Sequence, residues 1–252
     1  MSVYRYLHKI HAALNRVKVF EQFKPSVRIF NKELKQFREL NPGNRFSNDD
    51  FSFFPCLLDR TITTPFDAHY IYHPAWATRI IRDINPSLHV DISSTLHFCT
   101  TLSAFIPTAF YDYRPAALNL DNLTSGSIDL TNLNLDSNSI KSLSCMHTIE
   151  HIGLGRYGDT IDPEGDIKAI NELARVCAIG GNLLLVVPVG RKKIMFNAHR
   201  IYDAAEFAAY LPGFEVMNFS LITDDGNFTS NASYEQAALQ NYGCGCYWFV
   251  KK

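Results

Sequence analysis

The stretch from residue 139 to residue 190 constrains the fold of this 252-residue chain more than any other feature. An apolar strand pattern runs into a polar cluster that contains His147, Glu150 and His151. An amphipathic helix pattern follows, ends near Gly180-Gly181 and leads directly into a second apolar strand. This βαβ pattern predicts ionisable groups at the carboxyl end of a parallel strand, where open α/β sheets bind ligands.

The composition predicts an ordinary globular protein, with 46% hydrophobic and 19% charged residues. No apolar run approaches the length of a membrane span, and the N-terminus lacks the pattern of a signal peptide. We therefore expect a cytoplasmic protein. The six cysteines contain no Cys-x-x-Cys pair, and we expect them to be reduced packing residues. For Cys244 and Cys246, just before the last strand, the alternative is a metal or redox role.

Basic charge is concentrated at the N-terminus, where residues 1–40 carry nine Lys or Arg against three Glu. Apolar spacing predicts two helices there, the first through Leu7 and Leu14 and the second through Phe30 and Leu34. The segment is expected to pack on the main domain with a solvated basic face. The alternative is contact with an acidic protein partner or with the inner face of a membrane.

Beyond a linker that ends near residue 65, strand and helix patterns alternate, so the chain is divided into an N-terminal helical segment (1–65) and an α/β domain (66–252). Strands are predicted over residues 88–92, 109–113, part of 117–130, 140–146, 183–189, 214–222 and 247–250. Helices are predicted over residues 69–84, 98–105, 164–177 and 203–210. This alternation predicts a mostly parallel sheet with helices on both faces.

Three aspartates, Asp91, Asp112 and Asp129, lie at or near the ends of successive predicted strands. In nucleoside-binding α/β domains, carboxylates at these positions accept hydrogen bonds from ribose hydroxyls or an adenine amine. Their succession, followed by the cluster that begins at His147, points to a nucleoside-containing ligand.

Several motifs carry a resemblance to a known family. They are His147–Asp159 (His-Thr-Ile-Glu-His-Ile-Gly-Leu-Gly-Arg-Tyr-Gly-Asp), Asp162–Asp166, Arg175-Val176, Gly180–Asn182, Pro188–Gly190 and Asn197–Arg200. With them, roughly residues 65–252 resemble the S-adenosylmethionine-dependent methyltransferases. More narrowly, they resemble a bacterial methyltransferase-like family catalogued as domain of unknown function 268. The resemblance implies a Rossmann-like, seven-stranded sheet and S-adenosylmethionine as the cofactor.

Carried over by this resemblance, the three aspartates would open the cofactor loop, hold the ribose and face the adenine, in chain order. Ser93, Ser94 and His147 complete the cofactor-binding prediction. Methyltransferases usually have a glycine-rich turn after the first strand, but the loop Asp91–His97 contains no glycine. Serine can form a tight turn there and offers a hydroxyl.

His151 is the predicted general base, and Glu150 and His199 complete the catalytic prediction. Methyl transfer from a sulfonium to an oxygen requires that oxygen to lose its proton, which suits an imidazole oriented by a carboxylate. Alignment of nucleophile, methyl group and sulfur would supply most of the rate.

Arg156, Tyr157, Asn197 and Arg200 are the predicted substrate-binding residues. Arg156 could instead pair with an aspartate of its own loop. The loop after the fifth predicted strand is rich in Arg and Lys, which suits a phosphate or carboxylate on the methyl acceptor. We therefore expect the acceptor to be a small polar or glycan-linked molecule. The acidic catalytic region argues against nucleic acid.

Two other functions fit the same residues. A non-catalytic relative could have kept the sheet and lost cofactor binding, as the glycine-free loop would allow. A metal-dependent hydrolase would require His147, Glu150 and His151 to converge on one ion. Separately, a divalent cation could bind near Glu150, as in some methyltransferases of quinol-like substrates. We expect no metal at this site.

Overall fold

The computed structural model of the protein describes residues 24–40, 45–47 and 50–252. The chain divides into two compact units, Met1–Pro65 and Phe66–Lys252. The first predicted helix, through Leu7 and Leu14, lies outside the described residues. In the part of the chain that the structure describes, no helix is long and apolar enough to cross a membrane.

In the first unit, residues 24–40 form helix α1. The ring of Phe37 meets that of Phe51 edge-on, with centroids 5.9 Å apart. Arg60 donates from Nη2 to Glu33 Oε1 over 2.5 Å, an exposed ion pair. Residues that follow α1 in the chain therefore return to pack against it.

The second unit contains five helices and ten strands among the described residues. The helices are α2 (Ala68–Ile84), α3 (Leu96–Leu102), α4 (Gly165–Val176), α5 (Ala204–Ala209) and α6 (Tyr234–Ala238). The strands are β1 (His89–Ile92), β2 (Thr108–Asp112), β3 (Leu123–Ser127), β4 (Ile140–Met146), β5 (Cys177–Val189), β6 (Lys193–Met195), β7 (His199–Ile201), β8 (Phe214–Ile222), β9 (Phe228–Thr229) and β10 (Gly243–Lys251).

Eight strands form one sheet in the order β3-β2-β1-β4-β5-β10-β8-β9. The five strands from β3 to β5 are parallel, and β10 is antiparallel to both of its neighbours. The strand order reverses between β1 and β4, and such a reversal opens a crevice at the carboxyl ends of the strands. The prediction of a mostly parallel, Rossmann-like sheet is confirmed; two-residue β9 adds an eighth strand.

Helices cover both faces of the sheet, because the central strands are apolar on both sides. Along β5, Leu183, Leu185 and Val187 belong to the core shared with α4, α5 and α6. Leu184 and Val186 belong to the core shared with α2 and α3. This two-sided burial explains the uninterrupted apolar run in the sequence.

The structure corrects three local predictions. Strand β5 begins at Cys177, directly after α4, and its pairing with β4 shifts register where Gly180-Gly181 bulges. Cys244 and Cys246 lie inside β10 and not before it. The cationic loop after β5 is a β6–β7 hairpin that turns at Asn197, whose φ is +60°. Isolated three-residue strands carry too little periodicity to be read from sequence.

A buried polar chain joins β1 to β4. The ring nitrogens of His89 lie 2.8 Å from Ser142 Oγ and 2.9 Å from Ser144 Oγ, and Ser144 donates to Asp91. Burial lowers the pKa of His89 to about 3 and raises the pKa of Asp91 to about 6. The two strands are therefore linked by side chains as well as by backbone pairing.

His89 should make the fold sensitive to acid. It stays neutral when folded, whereas an unfolded histidine is protonated below about pH 6.5, so its contribution to stability is lost as the pH falls from about 6.5 towards 3. His89→Gln, whose amide can still bond both serines, should reduce the slope of unfolding free energy against pH by up to about 1.4 kcal/mol per unit. Urea unfolding between pH 4 and pH 6 measures the slope, and identical slopes would contradict this role.

Candidate active site

A cavity of about 360 Å³ lies at the carboxyl ends of β1 to β4, where the strand order reverses. Its volume is in the range of small-molecule sites. Its lining consists of Ser93, Asp112–Arg114, Ile128–Thr131, His147, Thr148, His151–Gly153, Tyr157, Asp159, Thr160, Asp162 and Gly165. Four of the six predicted cofactor residues, Ser93, Asp112, Asp129 and His147, line the cavity.

The glycine-free loop after β1 forms a tight turn. Ser93 has a φ of +58°, the left-handed region that favours glycine, and its N–H donates to the Tyr111 carbonyl over 2.7 Å. Ser94 Oγ accepts from the N–H of Met146 over 3.1 Å, and its own N–H donates to the buried Asp91. Ser94 and Asp91 therefore support the turn and do not line the cavity.

Asp112 and Asp129 form the wall contributed by β2 and β3. Asp112 Oδ1 accepts the N–H of Arg114 over 2.7 Å. Asp129 Oδ1 accepts the N–H and the hydroxyl of Thr131 over 2.8 and 2.7 Å. Since these bonds all use Oδ1 and hold each carboxylate in place, Oδ2 of each is available to a ligand. Leu130 supplies apolar surface beside them.

Glu150 is the centre of a histidine cluster. It lies on a 3-10 turn, Ile149–His151, directly after β4. Its Oε1 is 2.9 Å from His147 Nδ1 and 3.7 Å from His151 Nε2, while Oε2 is buried with no hydrogen-bond partner among the described residues. Burial raises the pKa of Glu150 to about 7 and lowers that of His147 to about 4.

The backbone carbonyl of Ala198 holds the His151 ring in one orientation. His151 Nδ1 is 2.5 Å from the Ala198 carbonyl, which can only accept, so Nδ1 carries the proton and Nε2 has the lone pair, 3.4 Å from Arg156 Nη1. Burial lowers the pKa of His151, Glu150 acts in the opposite direction, and Arg156 adds to the lowering. The imidazole is therefore neutral near pH 7 and able to accept a proton at Nε2.

The glycine-rich loop that follows is organised by Asp159. This carboxylate accepts the N–H groups of Gly153, Gly155 and Tyr157 over 2.8, 3.3 and 3.2 Å. Arg156 does not pair with it: its Nη1 lies 3.3 Å from the Ala198 carbonyl, and its guanidinium is 5.1 Å from the Tyr157 ring centroid. Arg156 is thus exposed beside His151.

The β6–β7 hairpin brings His199 but not Arg200 to the cluster. The His199 ring centroid is 6.4 Å from that of His151 and 4.9 Å from that of Tyr242. Asn197 donates to the Leu154 carbonyl over 3.5 Å. Arg200 is buried and already engaged: it donates to the carbonyls of Ile152 and Pro163 and pairs with Asp166. It supports the loop from outside the cavity.

Sequence reasoning missed four residues around His147. Rings of His69 and Tyr70 stack on His147 at centroid distances of 5.5 and 5.3 Å. Tyr242 stacks on His69 at 5.2 Å, and Cys244 Sγ lies 3.3 Å from His147 Nε2. The spacing of His69 and His73, four residues apart on a helix, was a signal for this cluster. No local sequence pattern connects α2 to β10. The tertiary fold brings these two elements together.

Comparison with known families gives one match. Residues 127–242, less than half of the chain, match the model of a family described as Caenorhabditis protein of unknown function, DUF268. That segment contains β4, the Glu150 cluster and the hairpin. The description names Caenorhabditis, so the bacterial origin attached to the resemblance is not supported. A comparison with curated proteins gives no match.

Solved structures share the fold. The N-methyltransferase NodS from Bradyrhizobium japonicum WM9, solved with S-adenosyl-L-homocysteine, matches with a TM-score of 0.51 and 11% identity over 78% of this chain and 91% of its own. The [4+2]-cyclase SpnF matches with a TM-score of 0.50 and 11% identity over 71% and 81%. A methyltransferase-like protein of Haloferax volcanii, in complex with Trm112, matches with a TM-score of 0.46 and 15% identity over 71% and 97%. The second unit therefore has the fold of the class I S-adenosylmethionine-dependent methyltransferases.

The loop beside the cavity should depend on Gly153. Its φ is +79°, and an added Cβ would lie 2.0 Å from the Asp162 carbonyl oxygen, so Gly153→Ala must displace backbone. Gly158 in the same loop has a φ of +84° but nothing within 4 Å of such a Cβ. We expect Gly158→Ala to cost about 1–2 kcal/mol of unfolding free energy and Gly153→Ala clearly more. Equal losses in denaturant unfolding would contradict the close packing.

Proposed function

We propose that the protein binds S-adenosylmethionine in the cavity at the carboxyl ends of β1 to β4 and transfers its methyl group to an oxygen of a small polar or glycan-linked acceptor. The observation that carries the proposal is the pair of strand-end carboxylates, Asp112 and Asp129, which line the cavity of a methyltransferase fold and use only one oxygen each in hydrogen bonds among the described residues.

The chemistry of the cavity wall fits this cofactor. Carboxylates accept hydrogen bonds from ribose hydroxyls and from an adenine amine, which are the roles proposed for Asp112 and Asp129. Four aspartates line the cavity against one arginine, Arg114, so its charge suits a cationic sulfonium. Bound there, the cofactor would supply an electrophilic methyl group.

His151 is proposed as the general base. Its Nε2 carries the lone pair, 3.4 Å from Nη1 of the exposed Arg156, its Nδ1 proton is bonded to the Ala198 carbonyl, and its lowered pKa keeps it neutral near pH 7. An acceptor hydroxyl hydrogen-bonded to Nε2 would give up its proton as the oxygen attacks the methyl group. Glu150, 3.7 Å from Nε2, would then stabilise the imidazolium.

The acceptor is proposed to enter beside His151. Arg156 is exposed there, and Lys193 is exposed at the start of the hairpin that carries His199. These cations favour an acceptor with a phosphate or carboxylate, as in a nucleotide-linked or lipid-linked sugar. Arg156 is the residue best placed to contact such a group.

A non-catalytic binding protein is the second candidate. The observation that favours it is Ser93 in a backbone conformation that most methyltransferases assign to glycine. The fold alone does not decide the matter, since one protein of the same fold is a [4+2]-cyclase.

Calorimetric titration with S-adenosylhomocysteine tests the cofactor site. We expect micromolar binding, and Asp112→Ala should weaken it about 10- to 100-fold through the loss of a hydrogen bond to a charged group. Asp121→Ala, an exposed aspartate in the same β2–β3 connection, is the matched control and should bind as wild type. Absence of binding at millimolar ligand would support the non-catalytic candidate.

Methyl transfer tests the base. Protein incubated with methyl-tritiated S-adenosylmethionine and a small-molecule cell extract should label an acceptor. His151→Gln should lower this labelling about 100-fold or more while S-adenosylhomocysteine affinity stays near wild type. Labelling that survives the substitution would remove His151 as the base; loss of both labelling and binding would assign it to the cofactor site.

A further inference from the structure

Three potential metal ligands from distant parts of the chain converge beside the cavity. They are His69 in the first turn of α2, His147 at the end of β4 and Cys244 in β10. One ligand atom from each lies within 4.8 Å of the other two, and His147 Nε2 is 3.3 Å from Cys244 Sγ. We propose that these three residues bind a Zn²⁺ ion.

The distances suit a tetrahedral ion. Zinc lies about 2.0–2.1 Å from nitrogen and about 2.3 Å from sulfur, which places ligand atoms about 3.4–3.6 Å from each other. The His147 Nε2–Cys244 Sγ distance of 3.3 Å is close to this separation. His69, which is half-buried at the start of α2, would close the third side by a shift of about 1 Å.

Glu150 supplies the outer support that zinc-binding histidines usually have. It holds Nδ1 of His147 at 2.9 Å, so that Nε2 is directed at Cys244. A carboxylate bonded to the far nitrogen of a ligating histidine fixes the ring and raises its basicity. The 3-10 turn therefore orients His147 for coordination.

A separate observation points to a bound cation. Glu150 Oε2 and His73 Nε2 are buried and have no hydrogen-bond partner among the described residues. The His73 and His147 rings meet edge-on at 5.0 Å, so both atoms belong to the surroundings of His147. Buried polar atoms are rarely left unpaired, and a nearby cation offsets the cost of a buried carboxylate.

The donor set selects the ion. Two imidazole nitrogens and one thiolate suit Zn²⁺ and not Mg²⁺ or Ca²⁺, which prefer oxygen ligands. Three protein ligands leave a fourth position for water or another ligand, as in catalytic zinc sites. Tyr70 and Tyr242 are nearly half exposed over these rings, so the ion has a short path from solvent. Coordination displaces the Cys244 thiol proton to water.

Cobalt(II) titration of chelator-treated full-length protein tests the site, because Co²⁺ replaces Zn²⁺ and gives a sulfur-to-cobalt charge-transfer band. We expect one equivalent to bind with this band and Zn²⁺ to displace it. Cys244→Ser should remove the band, His69→Ala should weaken Zn²⁺ binding at least tenfold, and Glu150→Gln should weaken it about 10- to 100-fold with the band retained.

Two cysteines provide matched controls. Cys246 Sγ lies 4.0 Å from Cys244 Sγ on the same face of β10 but outside the three-ligand group, and Cys56 is exposed in the first unit. Cys246→Ser and Cys56→Ser should keep the band. Absence of Co²⁺ binding, a band that survives Cys244→Ser, or loss of the band in Cys246→Ser would each overturn the proposal. Should Cys244→Ser fail to fold by circular dichroism, wild-type Zn²⁺ affinity in His69→Ala would overturn it. None of these readouts requires S-adenosylmethionine.

Discussion

The pairing of β1 with both β2 and β4 is the constraint on which the rest of the second unit depends. Because these strands are parallel, the loops that follow them all emerge at one edge of the sheet. The chain leaves β1 in one direction and returns on its other side, so the edge opens between β1 and β4. The serine turn, the strand-end aspartates and the Glu150 cluster are thereby placed around one cavity.

Burial of charge is the second theme of this site. Glu150 is 1% exposed and is surrounded by imidazoles, two of which, His147 and His151, face the same carboxylate oxygen. Burial raises the pKa of the carboxyl group and lowers those of the histidines, so it favours the neutral form of each group. Perturbed groups of this kind collect at functional sites, because catalysis and metal binding both use them.

The proposed cofactor cavity and the proposed metal site share His147 but use different parts of the fold. The cavity depends on the ends of β1 to β4, whereas the metal ligands join α2, β4 and β10. His147 lies where the two meet, directly after β4, with a φ of +54°. The proposed base, His151, is linked to His147 through Glu150. The side chains around Glu150 would thus contact both the proposed metal ion and the proposed cofactor.

Strands and helices were predictable from the sequence wherever their hydrophobic periodicity extends over many residues. The pattern of β4 predicts Ile140–Met146, and that of β8 predicts Phe214–Ile222, each with the observed bounds. The β6–β7 hairpin and α6 were missed, because three- to five-residue elements leave little periodicity and are stabilised by neighbours. Arg200 was predicted to bind substrate because it lies in a cationic loop. In the structure it is buried and supports the glycine-rich loop, since its guanidinium donates to carbonyls that are distant in the sequence.

The order of strands and helices, the parallel sheet and the strand-end positions of Asp112, Asp129 and Glu150 could all be predicted from the sequence. These follow from hydrophobic periodicity, which local chain segments carry. The tertiary structure was needed to show that Asp91 supports the turn after β1 and that His69 and Cys244 contact His147. Those contacts join residues as far as 97 positions apart in the chain, and the sheet order that creates them is set by packing of both faces at once.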